Sequence, residues 1–300
     1  MKVQIPEQPG RLAVAVSGGV DSVVLLHVLR SRGLDPDVVH FHHGTRSEND
    51  AEWAFVESLA GDRFQGHRLE LPPGPDLQRR ARRARYAILD AAPFDTIALG
   101  HHADDQAETV LDRLIRGAGA GGLAGMAPRR GRYVRPLLAI GRAELLDYAR
   151  QHGLRWMEDP SNVHGTRGAI RHRVLPELEA IRRGAARGIV RSSGWLAQDD
   201  ALLQELAAGL LDGDGARLAA LQSAPAPLAR RAVLQLVRRA AGGLGNVEAR
   251  HVDALLAGRG VQLPGGWSLC IDDGVVRCVP KGRDIAGEVS TCTGEAIDIP

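Results

Sequence analysis

Lysine is almost missing from this chain. Of its 38 basic residues only Lys2 and Lys281 are lysine, and the rest are arginine. A genome that drifts lysine codons to arginine accounts for the bias, and so would phosphate recognition by forked guanidinium donors, so position has to decide. Cysteine is scarce too: Cys270, Cys278 and Cys292, all late in the chain. An odd, sparse set excludes a disulfide framework and leads us to expect a reducing, cytoplasmic setting. Aromatics make up only 4%, so a base-stacking groove for single strands is not evident. No run approaches the ~18 apolar residues of a membrane span. Residues Met1–Gly10 carry Pro6 and Pro9 and lack the apolar stretch of a secretory signal. Acidic and basic residues nearly cancel, at +2 overall. With 44% hydrophobic and 25% charged residues the composition is otherwise globular, which excludes collagen-like or disordered chains. At 300 residues the chain makes one large domain or two.

In the first half, short apolar runs alternate with helical spacing. Leu12-Ala13-Val14-Ala15-Val16 is continuously apolar and stops at Ser17-Gly18-Gly19, as a strand buried on both faces does. Val24, Leu25, Val28 and Leu29 then keep helical spacing. Further strands are expected over 37–41, 64–71 and 95–99, with helices over 50–59, 76–89 and 103–115. This alternation predicts an α/β fold, a doubly wound, mostly parallel sheet. A glycine-rich stretch, 117–128, reads as a loop, functional or mobile at that length. A short strand over 133–138 and a helix over 142–151 follow. From about Ile189 the alternation gives way to Ala/Leu/Arg-rich helical text, with helices expected over 195–211, 216–221 and 226–240. Runs at 267–271 and 275–279, split by Asp272-Asp273-Gly274, read as a hairpin. The expected organisation is a catalytic domain over 1–188, a small helical domain over 189–245 and a short β-containing segment over 246–300.

The strongest chemical signal is Ser17-Gly18-Gly19-Val20-Asp21-Ser22, between a buried strand and a helix. Such a turn aims several backbone N–H groups outward, and the helix end adds partial positive charge. Glycines let a phosphate approach without a Cβ clash. The hydroxyls of Ser17 and Ser22 can donate to phosphate oxygens. Asp21 would repel a phosphate unless a cation lies between them, so a Mg²⁺ bridge is implied. A Walker A loop would need a lysine here, and the three-glycine dinucleotide fingerprint is also absent. The second signal is Gly100-His101-His102-Ala103-Asp104-Asp105-Gln106-Ala107-Glu108-Thr109, again following a buried strand and opening a helix. Strand ends of a parallel sheet converge on one crevice, so Asp104 or Asp105 can face Asp21 across a metal. Plain N-capping is the ordinary use of such aspartates. His40, His42, His43, His101 and His102 share this sheet edge. Nucleobase packing or ordinary polar lining suits them better than zinc, because no cysteine is near and no metal-ligand spacing is clean.

The first six-residue run resembles the signature of the PP-loop family, the N-type ATP pyrophosphatases, which split ATP between its α and β phosphates. The ordered set narrows the likeness. It comprises HHADDQAET, the glycine loop with Arg116-Gly117 and Gly122-Leu123, Arg135-Pro136-Leu137-Leu138, Trp156 to Asn162, and the basic Ala81 to Tyr86. Together these resemble the tRNA(Ile)-lysidine synthetase family over about residues 11–180. The resemblance implies an ATP- and Mg²⁺-dependent carbon–nitrogen ligase. Such an enzyme adenylates the wobble cytidine in the CAU anticodon of tRNA(Ile) and joins free L-lysine there, releasing AMP and pyrophosphate. It further implies that Ser17, Gly18, Gly19, Val20, Asp21 and Ser22, with His40 and Phe41, bind ATP. Asp21, Asp104 and Asp105 would be catalytic, Asp21 and Asp105 holding the metal. Arg82, Arg85, Arg116, Arg167, Arg171, Arg183 and Arg187 would meet tRNA. Glu108, Asp112, Glu158 or Asp159 could supply an acidic pocket for lysine. No membrane partner is expected, and a homodimer stays open.

Three departures stand out. Gly168 replaces an asparagine usual after Ser161-Asn162, Ala118 replaces a serine or threonine, and the larger C-terminal domain of longer members is expected to be cut short. Six arginines lie between Arg68 and Arg85 and seven between Arg167 and Arg191, gatherings that can attract nucleic acid. Arg183, Arg187 and Arg191 would share one side if that stretch is helical, although Gly184 and Gly188 weaken a helix. Two other readings compete: a PP-loop tRNA sulfurtransferase, which would favour paired cysteines, and a non-catalytic nucleotide-binding module.

Overall fold

The computed structural model describes Val3, Ile5 and residues 10–42, 48–72, 74, 76–158, 165–242 and 247–281. His43, Cys292 and the Asp159–Asn162 part of the motif above lie outside the described residues. The chain divides into two compact units, Met1–Ala197 and Gln198–Pro300.

The first unit opens with β1 (Leu12–Ala15), α1 (Val20–Arg30), β2 (Asp37–His42), α2 (Glu48–Ala60) and β3 (Phe64–Arg68). It continues through α3 (Leu77–Ala91), β4 (Thr96–Leu99), α4 (Ala103–Ile115) and the one-turn α5 (Ala120–Leu123). Then come β5 (Arg129–Arg130), β6 (Tyr133–Val134) and α6 (Arg142–Gln151). Next are α7 (Gly165–Ala169), a π-turn segment Ile170–Val174 and α8 (Leu175–Ile181), followed by α9 (Ala185–Ala208), within which the unit boundary falls.

Six strands form one sheet in the order β3-β2-β1-β4-β6-β5, parallel except for the β5–β6 pair. This is the expected doubly wound, mostly parallel sheet. Alternate residues of β1 feed opposite faces. Leu12 and Val14 join α1, α2 and α6 through Val24, Val56 and Leu145. Ala13 joins Val39 and Ile97 against Leu89 of α3. The chain runs outward from β1 through β2 to β3, then crosses back to place β4 on the other side. The carboxyl ends of β1 and β4 therefore flank the topological switch point, where parallel sheets open a crevice.

Some boundaries differ from the sequence reading. The strand expected over 133–138 ends at Val134, because Pro136 has no N–H to give a ladder. The helix expected over 216–221 begins only at Leu218. Gly215–Arg217 is instead an edge strand, β7, paired with 275–277. The stretch 117–128 contains α5 and is tied to α4. Arg113 donates to the carbonyls of Gly122 and Gly125, and Gln106 exchanges bonds with the Met126 backbone.

In the second unit β7 is followed by α10 (Leu218–Ser223), α11 (Ala226–Ala241), α12 (Ala249–Leu256), β8 (Val261–Leu263), β9 (Trp267–Asp272) and β10 (Val275–Pro280). The strands form an antiparallel sheet, β7-β10-β9-β8. The expected hairpin turns on Asp273 and Gly274, both at positive φ, as a tight two-residue turn requires. Leu221, Leu236, Leu255, Leu269 and Val276 share one core, so helices and strands of this unit bury each other.

Candidate active site

The turn after β1 is built by its own side chains. Ser22 Oγ donates to Gly19 O at 2.9 Å and accepts from the Ser17 N–H at 3.2 Å. Gly19 takes the N-cap position of α1 without a side-chain cap, so the N–H groups of the first turn stay available to an anion. Gly18 sits at φ +95°, a conformation that favours glycine. Its carbonyl accepts the Met157 N–H at 2.9 Å, so the Trp156-Met157 pair has a structural use here: Trp156 packs on the sheet core and Met157 ties down the turn.

The turn after β4 comes up beside it. A Cβ on Gly100 would lie 3.3 Å from the Asp21 and Ser22 backbone, so only glycine passes without displacing α1. His102 then caps α4, and Asp105 completes a capping box by accepting the His102 N–H at 3.1 Å. The His102 ring is 2% exposed and is the hub of the site. Its Nε2 lies 3.5 Å from Asp21 Oδ2 and 3.4 Å from Asp105 Oδ2. The Asp104 N–H donates to Nδ1 at 3.2 Å when the ring is neutral; in the imidazolium Nδ1 turns donor, with Asp104 Oδ2 3.5 Å away. Burial works against the charged ring, yet bonds to Asp104 and Asp21 and the charges of Asp105 and Asp21 outweigh it and push the imidazole up to about 10. The bond to His102 holds the Asp104 carboxyl below the usual range, helped by the Arg142 N–H at 2.8 Å.

Arginines complete the site. Arg171 grips buried Glu108 through Nε and Nη2, at 2.5 and 3.0 Å, and reaches Asp105 Oδ1 at 3.1 Å. Burial opposes its charge, but Glu108 and Asp105 more than compensate and raise its pKa. Arg142 Nη1 lies 3.5 Å from Asp21 Oδ2, and Arg167 donates to Thr109 Oγ1 at 3.1 Å. His101 is held neutral: burial is the main cause, Asp105 pulls the other way, and Arg135, Arg82 and Arg167 push it down to about 4. The crevice thus has an acidic floor, Asp21 and Asp105, beside a basic rim. Its cavity, about 230 Å³, is lined by Ser17, Asp21, Phe41, Arg85, Gly100 and His101 among others.

A divalent cation fits this floor in one specific way. Asp21 Oδ1 is buried with no hydrogen-bond partner, an oxygen left open for a hard ligand. Both Asp105 oxygens are already engaged. Among the described residues no cluster of three or more His, Cys, Asp or Glu could hold a metal. The arrangement suits Mg²⁺, which is commonly held by one or two carboxylates plus substrate phosphates.

A PP-loop domain model matches residues 1–178. The chain belongs to the PP-loop family. Its curated relatives include the tRNA(Ile)-lysidine synthase of Pseudomonas fluorescens (strain Pf0-1), 44% identical over 212 residues, covering 65% of this chain and 48% of the relative. That of Geobacter sulfurreducens is 39% identical over 280 residues, covering 83% of this chain and 59% of the relative. The chain therefore spans about half the length of the curated relatives it matches. Among solved structures, a U34-tRNA thiolase of Methanococcus maripaludis aligns at TM-score 0.49 and 22% identity, over 62% of this chain and 72% of that one.

Within the PP-loop crevice the structure unites Ser17, Asp21, Ser22, Phe41, Arg85, Asp104 and Asp105, with Arg167 and Arg171 beside them. It turns the His40 side chain elsewhere. That ring is buried against Trp53 and Phe64, with Nδ1–H donating to Val16 O at 2.8 Å. Residues along β2 alternate, so Val39 and Phe41 face the crevice and His40 faces α2. Arg116 sits at the other end of α4, roughly 16 Å along the axis from Asp105, and pairs with Asp112 at 3.0 Å. Arg82 is exposed and lies over Tyr86. Arg183 falls in the α8–α9 turn, so only Arg187 and Arg191 share a helix face. Sequence reasoning missed Arg142 and the hub role of His102. Arg142 comes from α6, 38 residues from Asp104 and far from Asp21 in sequence, but the second histidine before a helix start was itself a capping signal.

Proposed function

We propose that this chain carries the catalytic part of a tRNA(Ile)-lysidine synthase. It adenylates the wobble cytidine of a CAU anticodon and joins L-lysine to it, releasing AMP and pyrophosphate. The observation that carries the reading is the open, buried Asp21 Oδ1 at the mouth of an uncapped α1 N-terminus. There a triphosphate meets backbone N–H donors and one free carboxylate oxygen together. The names of the relatives supply the substrate class.

In this reading Ser17 to Ser22 cradle the pyrophosphate and Asp21 holds Mg²⁺, with Asp105 beside it. The cation neutralises phosphate charge when bound. Asp104 anchors α6 and keeps Arg142 beside Asp21. Arg171 positions Asp105, and the neutral His101 faces the space left for the base. Arg82, Arg85 and Arg167 rim that space and meet RNA phosphate, with Arg116, Arg183 and Arg187 further out. We assign tRNA contacts also to the helices over 189–245, and a cytoplasmic site of action. Among the described residues no helix is long and apolar enough to cross a membrane.

The test incubates the protein with ATP, Mg²⁺, radiolabelled lysine and an isoleucine tRNA transcript carrying CAU. Label in the RNA with stoichiometric AMP supports the reading. ATP binding without labelled RNA would overturn it.

A further inference from the structure

The strongest feature outside the crevice is a face of α9. After Ile181 the chain turns to Gly184 at φ +87°. Glu179 fixes this corner by accepting the N–H groups of Gly184 at 2.7 Å and Ala186 at 2.9 Å. From there Arg187, Arg191 and Trp195 follow at four-residue spacing and stand one above the next. All three are exposed, Trp195 by 58%. The Arg191 guanidinium lies 5.7 Å from the indole centroid. The opposite side of the same helix packs half-buried Ile189 and Val190 against the cluster that holds Ile170. The outward face therefore leaves a large indole in water with Arg191 against it and Arg187 a further turn along, an arrangement that core packing does not account for.

We propose that this face holds an unpaired nucleotide of the RNA substrate, its base stacked on Trp195 and its flanking phosphates on Arg187 and Arg191. The inference rests on the RNA-modifying reading above and adds a binding site to it. Charge selects the occupant. The face is flanked by exposed Arg182 and Arg183 at the corner, and the preceding helical run leads back to Arg171 and Arg167 at the crevice. Cations stand at both ends of this path, with Glu177 and Glu179 of α8 between them and the Glu179 carboxylate turned onto the Gly184 and Ala186 N–H groups, so a polyanion is drawn to the arginine cluster at 182–191. An exposed indole adds a stacking surface that accepts any base, and arginine contributes cation–π attraction at the same place. The low aromatic content argues against a continuous groove but leaves room for one platform.

The experiment measures anisotropy of a fluorescein-labelled CAU anticodon stem-loop RNA against wild type, Trp195→Ala, Trp195→Phe and Arg191→Ala, with nucleotide binding and sedimentation measured on each. Trp195→Ala should weaken RNA binding about tenfold and Trp195→Phe much less, with ATP binding unchanged. Arg191→Ala should lower the slope of log affinity against log salt by about 0.7. Wild-type binding matched by Trp195→Ala overturns this site and leaves the RNA reading standing. No RNA binding by wild type overturns both. A Trp195→Ala chain that loses self-association at unchanged RNA affinity makes the face a protein contact, which also overturns the proposal.

Discussion

Asp21 and His102 show how one residue's chemistry depends on a neighbour's. Asp21 offers one carboxylate oxygen to His102 and keeps the other free. Asp21→Asn preserves shape and removes the charge, so pyrophosphate release should fall roughly 10²–10³-fold. Some stability in urea should go with it, because the buried His102 charge loses one of its partners; a folded variant that releases pyrophosphate at the wild-type rate would remove Asp21 from the site. Buried neutral histidines set an acid limit. His101 and His40 are both pushed below the ordinary value by burial, His101 to about 4. The unfolded chain takes up protons first, so their contribution is intact above about 6.5 and is lost as pH falls toward about 4. Thermal midpoints measured from pH 7.5 to 4.5 should decline less in His101→Gln than in wild type. Equal declines would assign the acid limit to other groups.

Elements explain what could and could not be read in advance. β1 and the turn after it were legible because a continuously apolar run ending in Ser-Gly-Gly has few other uses in a parallel sheet. The facing of β2 was not, since both of its alternating sets, Val39 with Phe41 and His40 with His42, are ring-rich or apolar. Only the packing of Trp53 decides it. Trp53 lies across Gly66 of β3, where a Cβ would come within 2.1 Å of the indole. Gly66→Ala should therefore cost about 1–3 kcal/mol in urea unfolding, as overpacking does; a neutral result would mean the indole can swing aside. The glycine-rich stretch was read as a loop; it contains the one-turn α5, and its fastening comes from Arg113, a residue with no local signature. Arg113→Ala frees two carbonyls, and elastase should then cut within 117–128 faster than in wild type. An unchanged digest would assign the fastening to Gln106 alone.

At the scale of the molecule, two cores carry two kinds of work. The first unit spends its sheet on a crevice, and the second packs helices on a small antiparallel sheet. Cys278 reports on that second core: burial raises its thiol to about 11. At pH 8 it should react with iodoacetamide far more slowly than an unfolded-chain thiol and catch up in denaturant, read by peptide mass; rapid labelling in buffer would show the core opening by itself. The make-up of the second sheet was not visible in the sequence, because the strand at Gly215 pairs with residues some sixty positions later and no local pattern announces such a partner. Gly100 has the widest reach. With backbone against backbone at that point, even a methyl group would push the turn that carries Asp21 away from the one that carries Asp105. The spacing between the two carboxylates is thus set by an atom that is not there.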